Sequence, residues 1–224
     1  MAQNETVAKT IEDKLNEGRQ YRNISAANIE LRAEGDEEKV VEGYATTFNE
    51  PYELWRFENY RVMEQINPAA FDGCDMRDVI MQYNHEGRVF ARTGNDTLRL
   101  TVDERGLHIR ANLSGTELGR QVFEEIRGGY TNKMSFGFRV SEDVRTVTES
   151  YDTGEVVILR TITKIGKLYD VSAVSIPAND ATSISARTYG EGVIAEVAEE
   201  IRKRAEERER RERQKQKIRI MTEV

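Results

Sequence analysis

The chain has only two histidines, and histidine is the side chain best able to take and return a proton near neutral pH. His85 stands in VIMQYNHEGR, where alternation puts Val79, Met81, Tyr83 and His85 on one side of a strand. It falls just before Glu86-Gly87, where a backbone turn can aim an imidazole into a cleft. Ser135 stands in NKMSFGFRV; Met134, Phe136, Phe138 and Val140 alternate onto one face, leaving Ser135 and Gly137 on the other. A small hydroxyl residue beside a glycine leaves room for another chain to approach. Asp170, in KLYDVSAVSIPAND, puts a carboxylate inside an apolar strand, where acids are disfavoured and call for a partner. A serine, a histidine and an acid are the types from which nucleophilic acyl transfer is built. Each also has a plainer reading, as a strand-end histidine, a surface serine and an edge carboxylate facing water.

Other chemistries find less support. His108 lies in LHIRANL with Arg110 on the same face, which reads as an exposed structural position. Two separated histidines and one cysteine make no HExxH or CxxC pattern, so neither zinc nor any other metal is expected. No GxxxxGK[ST] or GxGxxG loop is present, so no nucleotide cofactor is expected, and GxSxG is absent as well. Cys74 sits among acids in FDGCDMRD, which discourages the thiolate that a cysteine hydrolase needs.

The elements that must position these residues fall in three regions. Residues 1–27 hold Val7, Ile11 and Leu15 at four-residue intervals before Gly18, a short helix in a removable leader. Residues 28–188 form a mostly β domain, with strand signals at 39–48, 79–84, 98–102, 107–113, 134–140, 156–163 and 168–176. Asp103 to Gly106 reads as a hairpin turn, and TELGRQVFEEIRGG (116–129) as a helix ending in glycines. From 189 the chain becomes a helical tail that begins with Val193, Ile194, Val197 and Ile201 on one face and then turns almost entirely charged, with net +1 over 191–224. It is either a solvated helix or an arm that binds a scaffold partner.

A net charge of −7 and a pI near 5.2 argue against a nucleic-acid binder. A single cysteine suits a reducing compartment, no window is apolar enough for a membrane span, and the acidic N-terminus is no secretory signal. These point to a soluble intracellular protein.

Taken in order, NHEGR, KMSFGF and LYDVSAVSIPAND, preceded by IELRAEGDEEKVVEGYATTFNE and NPAAFDG, resemble the prohead (capsid maturation) serine proteases of tailed bacteriophages over roughly residues 28–187. The resemblance implies that His85 is the general base and Ser135 the nucleophile. The third member is usually a glutamate at the position that Asp170 fills here. It implies an α+β fold, mostly β with helices: a bent antiparallel barrel of the herpesvirus-protease type. It implies a serine endopeptidase that acts inside the assembling procapsid in the host cytoplasm. There it would cleave the scaffold segment of the major capsid protein, and itself, with the portal and self-association as further contacts. The alternative is a catalytically silent capsid-assembly or scaffolding protein of the same fold.

Overall fold

The structure, a computed structural model, describes residues 18–33, 39–150, 152–174 and 184–222. The helix expected around Val7–Leu15 lies outside them.

Two long strands organise the sheet. β10 (Val156–Val174) runs antiparallel to β9 (Lys133–Glu149) along most of its length. The sequence splits β10 into two strands because Lys164, Gly166 and Lys167 interrupt its apolar alternation. Register shifts between Ile162 and Asp170 absorb that interruption as bulges, so the ladder continues through it. On its other edge β10 pairs in parallel with β4 (Tyr60–Ile66) and then with β5 (Ile80–Tyr83). β3 (Tyr52–Phe57) completes that flank on β4, and β6 (Glu86–Arg92) folds back on β5.

The free edge of β9 is taken by β1 (Gln20–Ala33), whose two halves serve different neighbours. Gln20–Ile24 pair with Phe138–Met134; after a register shift, Ile29–Ala33 pair with β2 (Lys39–Thr47). The expected leader, drawn to residue 27, is therefore part of the sheet from Gln20 onward. β8 (Gly106–Asn112) and β7 (Leu98–Val102) follow on β2. The hairpin between them forms as expected, because Asp103 Oδ1 accepts from the Arg105 and Gly106 amides at 2.8 and 3.0 Å. The result is mostly sheet with helices, as anticipated. Two pairings are parallel, and the path runs openly from β3 to β7 with no closing pair among the described residues.

The apolar face of β9 anchors the main core, with Met134, Phe136 and Phe138 fully buried and the two phenyl rings stacked at 4.4 Å. Helix α1 (Glu117–Arg127) adds Val122, Phe123 and Ile126, its N-terminus capped by Thr116, which accepts from the Gly119 amide. Helix α2 (Ile184–Thr222) is longer than the tail suggested. Its Tyr189, Val193, Ile194 and Val197 pack on Leu54, Val62, Val156 and Ile158 as a second core. Beyond Ile201 its described side chains are exposed, tied by pairs such as Arg213–Glu209 four residues apart.

Between the two cores lies a buried ionic cluster. Glu64, fully buried, accepts from Arg22, from Arg160 Nη1 at 3.0 Å and from the Tyr52 hydroxyl at 2.5 Å. Arg160 also bonds Asp143 and lies 4.6 Å from the centre of the Tyr189 ring. Burial alone would raise the Glu64 pKa, but the two guanidiniums outweigh it and hold it at about 2. Glu64→Ala would leave two buried guanidiniums, Arg22 and Arg160, facing the single carboxylate of Asp143. It should lower stability by about 3–5 kcal/mol in a denaturant titration, and a loss under 1 kcal/mol would show that water had entered the cluster.

Candidate active site

His85 sits in the two-residue turn joining β5 to β6, with Tyr83 paired to Glu86 across it. Asn84 and His85 have φ of 48° and 62°, the left-handed pair that twists a tight hairpin correctly. Asparagine adopts that conformation readily; histidine does so at some cost, and such strain gathers at functional sites. The Asn84 amide donates to Ala173 O at 3.0 Å, fixing the turn to β10. His85 is thus in the turn itself rather than at the end of the alternating strand.

Ser135 and Asp170 reach His85 from the two long strands. Register places Ser135 beside Ser172 and Gly137 beside Asp170, all on the sheet face opposite the phenylalanines. With His85 protonated at Nδ1, that nitrogen donates to Asp170 Oδ2 at 2.5 Å. Nε2 is then left to accept from the Ser135 hydroxyl, also at 2.5 Å. The three residues expected to act together are therefore within hydrogen-bond reach. Ser135 and Asp170 are completely buried, and the His85 side chain is 14% exposed.

Asp170 has further partners that its sequence context does not reveal. Ser172 Oγ donates to Oδ2 at 2.9 Å, and Arg19 forms an ion pair with Oδ1. The guanidinium of Arg19 lies between the Tyr21 and Tyr169 rings, at 5.1 and 4.9 Å. Burial would raise the Asp170 pKa, but the hydrogen bond and charge of His85, with those of Arg19, bring it below the ordinary value. The carboxylate is thus held ionised beside the imidazole.

Gly137 does not leave room for an incoming chain; that space is filled. A Cβ there would collide with Asp170 Oδ1 and press on Arg19 and Tyr21. His108 stays on β8, its ring 5.1 Å from Tyr44, away from this group. Cys74 is half-buried, and burial, with nearby Asp75, pushes its thiol up to about 11, so it supplies no thiolate. Among the described residues no group of histidine, cysteine and acids is placed to hold a metal ion, and no helix is long and apolar enough to cross a membrane.

Arg19, Arg22 and Glu64 were not singled out by sequence. The signal for Glu64 was present: in YRVMEQI it shares the alternation of Val62 and Ile66, a charge in core register. Arg160 shows the same sign between Ile158 and Ile162.

Residues 27–196 match the family described as caudovirus prohead serine protease. No curated protein matches the chain. Among solved structures, the capsid assembly protease gp21 of bacteriophage T4 is similar at 11% identity and a TM-score of 0.40, over 70% of this chain and 96% of that one. The family match, not that slight likeness, carries the assignment.

Proposed function

The chain belongs to the caudovirus prohead serine protease family, and we propose that it is a serine endopeptidase in which Ser135 is the nucleophile, His85 the general base and acid, and Asp170 the carboxylate that orients the imidazole. The observation that carries this reading is that the two His85 nitrogens are engaged by Asp170 and Ser135, one each. Ser135 Oγ attacks the peptide carbonyl while its proton passes to Nε2. The imidazolium, stabilised by Asp170, gives that proton to the departing amine, and water completes the cycle through the same base. Asp170 lacks one methylene of the glutamate usual at this place. The left-handed turn supports the shorter acid by bringing the ring to it.

The substrate on this reading is the scaffold segment of the major capsid protein, cut inside the assembling procapsid, with the protease itself a second target. The portal and self-association belong to the same proposal, as does scaffold binding by the exposed part of α2. The bent barrel of the herpesvirus-protease type goes with it, supported by the turn of β1 from β9 to β2. A catalytically silent assembly protein has no use for a strained histidine held between a serine and a buried acid.

The test is co-expression with the capsid protein, comparing wild type with Ser135→Ala by intact mass. Shortening that persists in the variant rejects the assignment. Gly137→Ala offers a finer check, since its methyl displaces the Asp170 carboxylate. A misplacement of that kind should lower kcat about 100-fold with the circular dichroism spectrum retained. Wild-type turnover in a folded Gly137→Ala protein would mean that the carboxylate has slack.

A further inference from the structure

Ser135 has no exposed surface, although a separate substrate would have to reach it. The chain's own β1 runs there, antiparallel along the edge of β9, with Asn23 opposite Ser135 and Arg22 opposite Phe136. The Tyr21 ring is 4.3 Å from that of His85, and Ser135 Oγ lies 2.9 Å from the carbonyl oxygen of Arg22. An extended segment added to the edge of the nucleophile's strand, one carbonyl on the nucleophile, is how a peptide substrate docks on a sheet.

The side chain of Arg22 enters a closed pocket on the opposite face of the sheet. Its guanidinium pairs with Glu64, donating to Oε2 at 3.1 Å, and donates to Gln20 Oε1 at 2.8 Å, with the Phe138 ring 5.8 Å away. Within this cluster Arg22 and Arg160 balance Glu64 and Asp143. Without Arg22, one buried guanidinium would face two carboxylates. Whatever strand lies on β9 must therefore bring a cation to this place, and the planar fork of arginine suits a buried carboxylate better than lysine does.

We propose that Gln20–Ile24 is held in the cleft as a substrate, that the Glu64 pocket is the subsite selecting arginine on the acyl side of the cut, and that Arg22–Asn23 is the first bond severed. This rests on the serine-protease reading above. In the step itself Ser135 Oγ bonds to the Arg22 carbonyl carbon and its proton goes to His85 Nε2. The bond to the Asn23 nitrogen then breaks as His85 returns the proton to it. Water hydrolyses the ester, leaving Arg22 with a free carboxylate and Ser135 with its hydroxyl. In the resting geometry the hydroxyl has one proton for two acceptors, Arg22 O and His85 Nε2. While Arg22 O holds it, the carbonyl oxygen rather than the carbon faces Oγ. Cleavage waits on a rotation of that peptide, next to the register shift between Ile24 and Asn28. Departure of the released piece opens the β9 edge to a capsid strand carrying arginine at the same place.

The full chain, expressed alone as wild type, Ser135→Ala and Arg22→Gln, decides this by N-terminal sequencing and intact mass. Wild type should begin at Asn23 and Ser135→Ala should stay whole. Arg22→Gln should lose its leader about 10⁴-fold more slowly, as expected when a buried polar subsite loses its partner. A wild-type enzyme that shortens the capsid protein while its own Arg22–Asn23 bond stays intact overturns the proposal, as does capsid cleavage after residues other than arginine. A wild-type chain that cuts neither itself nor the capsid protein defeats the protease reading instead.

Discussion

Ser135→Ala is expected to leave the capsid protein at full length, with kcat reduced by about 10⁶-fold. The effect is large because the methyl removes the proposed nucleophile, the hydroxyl 2.5 Å from His85 Nε2. The structural cost is small. Ser135 is buried, and losing its hydroxyl leaves two acceptors, His85 Nε2 and the Arg22 carbonyl, that a single water can serve. A denaturation midpoint close to wild type, with cleavage gone, separates loss of chemistry from loss of fold. Cleavage at even a hundredth of the wild-type rate would move the nucleophile elsewhere, Cys74 being a poor candidate because burial keeps its thiol protonated.

Asp170→Asn should be nearly as damaging, lowering kcat by about 10⁴-fold while KM changes little. An amide at this position still fits the space, but it can offer its N–H to Nδ1. That favours the imidazole tautomer with the proton on Nε2, where it cannot accept from Ser135. The amide also loses the charge that stabilises the imidazolium and that Arg19 balances at Oδ1. Single-turnover measurements distinguish this from a binding defect. A variant with full activity would assign the third role to another group, and one that merely unfolds would show a lowered melting temperature together with loss of signal at every substrate concentration.

Much of the candidate site was legible in the sequence. The alternation in NKMSFGFRV correctly put the phenylalanines in the core and Ser135 on the other face, because strand side chains alternate whatever their surroundings. The family was legible from ordered segments. Strand boundaries were less so: β3, β4 and β6 carry mixed polar and charged residues, and β10 was divided at Lys164–Lys167 because a bulge conceals a strand's period. The apolar face of the tail's near end was legible from Val193, Ile194, Val197 and Ile201, but what it packs on, Leu54 and Val62, lies far away in the chain.

The sequence by itself determined which residues have the right chemistry: His85, Ser135 and an acid shorter than usual at 170. It also determined that they sit on or beside strands. Tertiary structure decided that they meet. The contacts of His85 span 85 and 50 positions, and that of Ser135 with Arg22 spans 113. Contacts at such separations are set by sheet register, which no local spacing encodes. Register also decided what sequence had no means of showing: Ser135 lies covered by the first described strand, and Arg22 of that strand is neutralised by Glu64, buried on a distant one.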